Sequence, residues 1–430
     1  MYSLSRIALI LSTALVAVPA AAQLAEGEMA TPDQVDAGEV QVLAPAPAAA
    51  PAPTAEPVFQ MPTAPVEWER EDAEALLAFV EGVGEEGLDP ADYEPERLRT
   101  AIDGGDEVAL GRAATDIFLR LSSDLSLGHA RGDARVGWHI EDDDLNGNQQ
   151  YALMASATRD NIIHDTLTSL LPTHPQYAEL KAVLAATPPS DQDRIEKIRA
   201  NLERWRWMPR DLGQKYVIVN VPAYTVALVE NGQVVSRHRA VVGKPETATP
   251  QLSATISGVI FNPWWNIPQS IVREIGAGAK GYVTKRGEDG SVYMRQPPGP
   301  NNALGRMKIV MPNDHAIYLH DTPAKNLFAK EERAFSHGCI RTQDALGFAQ
   351  TLLAPTGEWD EARIKETVAS GDTVEADIAA PIPVYITYFT AAAAKDSGEI
   401  IAYEDLYGRD GPVAMALNDG GGTAFASTGN

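Results

Sequence analysis

At about residue 210 the apolar pattern of this 430-residue chain changes period, and that change limits the possible folds more than any motif does. Ahead of it, Ala73, Leu76, Leu77 and Val80 recur at i, i+3, i+4, i+7, and Ile117, Leu121 and Leu125 repeat every four residues. Such spacing puts apolar side chains on one stripe of a helix. Further helical runs cover 161–171 and 177–186, with breaks at Gly87-Leu88-Asp89-Pro90 and Leu171-Pro172-Thr173-His174-Pro175. A charged helix is expected over 191–207. Beyond it lie β-branched runs at 216–221, 225–229, 234–242 and 255–261, then strands at 307–311, 316–319 and 384–389. Glu230-Asn231-Gly232-Gln233 predicts a tight hairpin, because Asn-Gly supplies two positive φ angles. Helices are also expected at 342–353 and 361–369. The fold class is therefore α+β, an all-helical domain over 67–188 followed by a mostly-β domain over 189–410.

Both ends differ in texture from these domains. Arg6 precedes an apolar run over 7–18, then Pro19 and Ala20-Ala21-Ala22, so residues 1–22 predict a cleaved secretory signal. The run is too short to span a bilayer, and no later segment reaches the roughly 20 apolar residues a spanning helix needs. Residues 23–66, rich in Ala, Pro and Glu, predict an unstructured tether, and 411–430 an unstructured tail. With 35 basic against 59 acidic residues the net charge is -24, which repels nucleic acid and argues against it as a partner.

Export gives the single cysteine its meaning. A lone thiol cannot form an internal disulfide, and in an oxidising compartment it is a liability unless buried or used. Cys339 stands in Phe335-Ser336-His337-Gly338-Cys339-Ile340-Arg341, and His320 lies upstream in Ile317-Tyr318-Leu319-His320-Asp321-Thr322. An imidazole that takes the thiol proton makes a nucleophile. Gly338 lets backbone approach a substrate carbonyl, a helix starting near 342 would lower the thiol pKa, and Asp321 is close enough to orient the base. Zinc held by His315, His320, His337 and Cys339 is the rival chemistry. No C-x-x-C pair or H-E-x-x-H accompanies them, so neither metal nor cofactor is expected. His129, His139, His164 and His174 are scattered, without ligand spacing.

These two motifs resemble the active-site signature of the L,D-transpeptidases, the cysteine enzymes that crosslink bacterial peptidoglycan, and are closest to their large Gram-negative periplasmic branch. The resemblance extends to Asn201-Leu202-Glu203-Arg204-Trp205-Arg206-Trp207, Val241-Val242-Gly243-Lys244-Pro245, Phe261-Asn262-Pro263-Trp264-Trp265-Asn266 and Gln296-Pro297-Pro298-Gly299-Pro300-Asn301-Asn302-Ala303-Leu304-Gly305. It implies Cys339 as nucleophile, His320 as base and Asp321 as its orienting acceptor through the main-chain carbonyl. His337, Gly338 and the Cys339 amide would shape the oxyanion hole, with Ser336 beside them. Arg341 would meet a substrate carboxylate, and Tyr318, Trp265 and Phe261 would line the groove. It implies a periplasmic enzyme that takes tetrapeptide stems, releases D-alanine and forms 3→3 crosslinks, and that carbapenems acylate.

Two departures from that branch stand out. No room remains between 186 and 191 for a separate peptidoglycan-binding module, and the segment 266–302, which resembles a substrate-capping insertion, is short. Other cell-wall enzymes are the partners considered for the helical domain. The same thiol chemistry serves an L,D-carboxypeptidase or an enzyme attaching or detaching a wall-linked protein. A non-catalytic wall-binding scaffold would need no nucleophile.

Overall fold

The computed structural model describes residues 66–419 apart from 142–144, 277 and 395–396. The expected signal, the tether up to residue 65 and residues 420–430 lie outside the described residues.

The helical domain is built from α1 (Arg70–Gly82), α2 (Pro95–Gly104), α3 (Glu107–Leu127), α4 (Gly147–Arg159), α5 (Ile163–Ser169) and α6 (Pro175–Ala186). Its axis is α3. Leu110, Ala113, Ala114, Ile117, Phe118, Leu121 and Leu125 are buried along one stripe, against Leu76 and Val80 of α1 and Leu98 of α2. Caps fix the helix starts: Asp106 accepts from the Val108 and Ala109 amides, and Asn146 and Gln149 form a reciprocal capping box. The domain is not all helix. A two-residue strand, β1 (Trp138–His139), leaves it and pairs in parallel with Gln251 and Leu252 of the sheet.

α7 (Gln192–Arg206) joins the two domains by facing both. On one side Glu203 and Arg206 form a fully buried ion pair at 2.8 Å. Glu203 also accepts from the Ala130 amide at 2.7 Å and from Trp207 Nε1 at 3.0 Å, while Arg206 donates to Tyr177 Oη at 3.0 Å and to the Glu86 carbonyl. On the other side Asn201 exchanges two 2.9 Å hydrogen bonds with Thr390, and Arg204 pairs with Asp410 at 2.6 Å. The Asn201–Trp207 motif is thus a rivet made of buried charge.

The second domain contains β2 (Lys215–Asn220), β3 (Thr225–Glu230), β4 (Gln233–Gly243) and β5 (Gln251–Phe261). Asn231 (φ 51°) and Gly232 (φ 74°) make the predicted hairpin between β3 and β4. Next come β6 (Trp265–Asn266), α8 (Gln269–Ile275), β7 (Val283–Arg286) and β8 (Val292–Gln296). These form a small three-stranded sheet in the order β6-β8-β7, with its own core of Ile267, Val272 and Met294. The segment expected as a capping insertion is therefore an ordered subdomain. Its base is pinned by Asn302, whose Nδ2 donates to the carbonyls of Pro263 (3.0 Å) and Pro297 (2.9 Å).

The chain then lays down β9 (Met307–Val310), β10 (Leu319–His320), β11 (Ala334–Ser336), β12 (Ile340–Thr342), α9 (Ala345–Leu353), α10 (Glu361–Ser370) and β13 (Val374–Thr387). Strand order runs β5-β13-β2-β3-β4-β12-β10-β9, and β9 pairs back onto β5, so the sheet closes on itself. Val217, Val219, Val226, Leu228, Ile256, Val259, Leu319 and Ile340 fill one core with Phe348 and Leu352 of α9. The opposite face of β2 and β13 packs Tyr216 and Tyr385 on Leu180, Ile198 and Leu202 of α6 and α7.

The expectation of an unstructured tail from 411 is corrected here. α11 (Asp410–Asn418) follows, and Val413 and Leu417, one turn apart, enter the core of the helical domain. Two apolar residues were too few to show as a periodic pattern, and burial against α7 supplies the stability the sequence lacks.

Candidate active site

Alternation along three paired strands builds the site. Met307 and Ile309 of β9, Leu319 of β10 and Ile340 of β12 point into the core. The period of two then sends Lys308, His320, Arg341 and their neighbours Tyr318 and Cys339 to the other face. Register brings them together. Lys308 lies opposite His320 across the antiparallel β9–β10 pair, and His320 lies opposite Arg341 across the parallel β10–β12 pair. One step along, the Ile340 amide donates to the Tyr318 carbonyl at 3.0 Å, which sets Cys339 beside Tyr318. A cysteine, a histidine, a tyrosine and two cations thus share one patch, from segments the sequence separates by up to 33 positions.

The imidazole of His320 is held at Nδ1 by the main-chain carbonyl of Asp321 at 2.5 Å. That bond fixes Nδ1 as the protonated nitrogen and leaves Nε2 as the basic one. Burial, then the charges of Arg341 and Lys308, push its pKa down to about 3, so the ring is neutral at rest. The Asp321 carboxylate points elsewhere, accepting from the Arg306 amide at 2.8 Å and pairing with Lys325. Gly305 makes room for it, since a Cβ there would run into the Asp321 carboxylate, and its φ of +65° suits glycine.

Cys339 departs from expectation. Burial raises its thiol above the usual value, opposed by hydrogen bonds from the Tyr318 backbone and side chain and by the charges of Lys308 and Arg341. The expected helix N-terminus beside the sulfur is absent: Cys339 runs into β12, and α9 starts only at Ala345, capped by Asp344. The run after Cys339 reads as helix in sequence, but pairing of Arg341 and Thr342 with Val241 and Ala240 takes its first residues into the sheet. Sγ also makes a 3.7 Å contact with the carbonyl of Ala316, a non-glycine residue at φ +53°.

The Ser336–Gly338 turn is tied internally. Ser336 Oγ donates to the Cys339 carbonyl at 2.6 Å and accepts from the Gly338 amide at 3.1 Å, and Thr249 Oγ1 donates to the Gly338 carbonyl at 2.8 Å. The Gly338 amide is therefore engaged, and the residue's contribution is its φ of +113°. His337 is exposed and its Nε2 lies 3.1 Å from Glu274 of α8, linking the turn before Cys339 to the small three-stranded subdomain. Trp265, on β6, lies beside the Tyr318 hydroxyl and offsets part of the upward push of burial on its pKa. Phe261 does not line the groove. It is fully buried and stacked on Trp359 at 5.1 Å, and the neighbouring Asn262 holds the carbonyls of Thr367 (2.9 Å) and Asp372 (3.0 Å). Lys308 was missed; a lysine alternating with Met307 and Ile309 in an otherwise apolar strand was the available signal.

Among the described residues no group of three or more His, Cys, Asp or Glu side chains is arranged to hold a metal ion.

Residues 214–381 match the family described as YkuD, the L,D-transpeptidase catalytic domain, and residues 64–184 match the Scaffold domain. Residues 214–381 are thus similar to an L,D-transpeptidase catalytic domain, and the helical residues ahead of them to a Scaffold domain. A Haemophilus influenzae protein provisionally assigned as an L,D-transpeptidase is 30% identical over 289 residues, 61% of this chain and 58% of that protein. The chain thus spans under two thirds of that relative's length. Solved L,D-transpeptidases from Mycobacterium smegmatis (14% identity, 40% of this chain and 58% of that chain, TM-score 0.23) and Mycobacterium tuberculosis (16% identity, 40% and 61%, TM-score 0.23) also match. Likeness at those scores adds nothing further about this chain.

Proposed function

We propose that the chain is an exported, periplasmic L,D-transpeptidase that forms 3→3 peptidoglycan crosslinks from tetrapeptide stems. The observation that carries this is the shared face of β10 and β12, where Cys339, Tyr318 and a neutral His320 braced by the Asp321 carbonyl converge. In the first step Cys339 gives its proton to His320 Nε2 as sulfur attacks the carbonyl joining the L-centre of diaminopimelate to terminal D-alanine. The C–N bond breaks and D-alanine leaves with the proton from His320. The side-chain amine of a second stem then attacks the thioester, its proton passes through His320, and the thiol is restored. Tyr318, beside the sulfur, lowers the thiol pKa and so favours the thiolate. His337 and Trp265 join the site to the capping subdomain, which would cover the stem.

The test is mass spectrometry of disaccharide-tetrapeptides incubated with the protein and with Cys339→Ala. A 3→3 dimer made only by the wild type supports the proposal. A tripeptide without dimer means water is the acceptor and makes the enzyme an L,D-carboxypeptidase. No product from folded protein overturns both. The same thiol should take a single covalent carbapenem adduct by intact mass, absent in Cys339→Ala.

A further inference from the structure

The site contains more positive charge than thiol chemistry needs. Lys308, His320 and Arg341 form a rank across β9, β10 and β12, with the imidazole in the middle. Lys308 Nζ lies 4.1 Å from the centroid of the Tyr318 ring, and both cations act electrostatically on Cys339. Neither has an ion-pair partner among the described residues, and Arg341 Nε is buried with no hydrogen-bond partner. The nearby carboxylates are committed: Asp321 to Lys325 and the Arg306 amide, Glu274 to His337. Two half-buried cations left unpaired beside a nucleophile are costly for the free protein and form a ready seat for an anion.

We propose that Lys308 and Arg341 together bind the terminal carboxylate of the donor stem, and that this carboxylate completes the base by offsetting the two charges that flank His320. The inference rests on the transpeptidase reading. In a tetrapeptide donor the D-alanine carboxylate is one Cα from the scissile amide nitrogen, which makes it the anion brought closest to Cys339. In the free protein the two cations oppose protonation of His320, although the same charges favour the Cys339 thiolate. With the carboxylate seated, the imidazolium formed during attack lies in a balanced field. The groups facing His320 are Lys308 from β9, Arg341 and Cys339 from the β12 side, and Tyr318 and the Asp321 carbonyl from its own strand. Lys308 acts through His320 and the substrate carboxylate, so it is a positioning and specificity residue.

Two readouts test this. In crosslinking assays the wild type should prefer a tetrapeptide donor over its C-terminal carboxamide by about 10- to 100-fold in kcat/KM, the range expected for a charge-assisted pair. Lys308→Met should reduce that preference to a few-fold, and Lys308→Arg should restore most of it. A structural defect would lower both donors equally. Independently of turnover, the pH midpoint for alkylation of Cys339 by uncharged iodoacetamide should rise when N-acetyl-D-alanine is present, because the bound carboxylate offsets the two charges that favour the thiolate, and Lys308→Met should abolish the shift. Full discrimination retained in Lys308→Met, or a midpoint unmoved by N-acetyl-D-alanine in the wild type, would overturn the proposal. If neither donor is crosslinked, the transpeptidase reading falls while the alkylation result still decides whether a carboxylate binds.

Discussion

Replacing Glu203 by methionine should uncouple the two domains and destabilise both. The side chain is fully buried and serves three partners: Arg206 at 2.8 Å, the Ala130 amide at 2.7 Å and Trp207 Nε1 at 3.0 Å. Stranding Arg206 as a buried charge costs about 3–5 kcal/mol. Each orphaned N–H adds roughly 1–3 kcal/mol unless water reaches it. Arg206 keeps Tyr177 and the Glu86 carbonyl, which softens the first cost, so a net loss of at least ~4 kcal/mol is expected. That is a large share of the ~5–15 kcal/mol holding a typical domain. The assay is urea unfolding followed in parallel by tryptophan fluorescence, to which the seven tryptophans of both domains contribute, and by alkylation of Cys339 in the sheet. Both transitions should move together to lower urea. The double variant with Arg206→Met, having no charge to strand, should recover about 1–3 kcal/mol relative to the two single losses added. A loss below about 1 kcal/mol in Glu203→Met, or Cys339 protection unchanged while fluorescence shifts, would refute the reasoning.

Gly305→Ala should drive a Cβ into the Asp321 carboxylate and shift the carbonyl that orients His320, lowering crosslinking by about 10- to 100-fold with a much smaller change in Tm; equal activity would refute it. Ending the chain after Arg409 removes Val413 and Leu417 from the helical core and Asp410 from Arg204, and should cost about 3 kcal/mol or more by urea titration. Acid should destabilise the fold through its buried neutral histidines. Burial lowers His320 to about 3 and His174 to about 4 from the ordinary 6.5. Between 6.5 and those values the unfolded chain binds protons that the native one refuses, so their contribution is full above 6.5 and declines as pH falls. His129 works the other way and partly offsets the slope: burial lowers it, but Asp124, Glu203 and Asp92 together outweigh burial and raise it. His174→Gln should flatten the stability profile between pH 6.5 and 4, and an unchanged slope would count against this account.

Much of this protein could be read along the chain. The switch from a 3.6 to a 2 period marks a helical domain followed by a mostly-β one, because each element must bury a face and the spacing of apolar residues records which face. Asn231-Gly232 specified its turn by backbone sterics alone. Cys339, His320 and Asp321 were legible as candidates because nucleophile chemistry needs those groups and the chain contains one cysteine. Contacts across strands and between domains were not legible. Only the closed sheet set Lys308 and Arg341 on either side of His320, and only burial made that imidazole neutral and raised the thiol. Phe261 belonged to the core and α9 began later than its pattern implied, since sheet pairing outweighed local helical preference. The end of the chain became a helix because α7 offered a surface for it. Local preference is written residue by residue, whereas desolvation and charge proximity depend on distances between segments, and those are fixed only when the chain closes on itself.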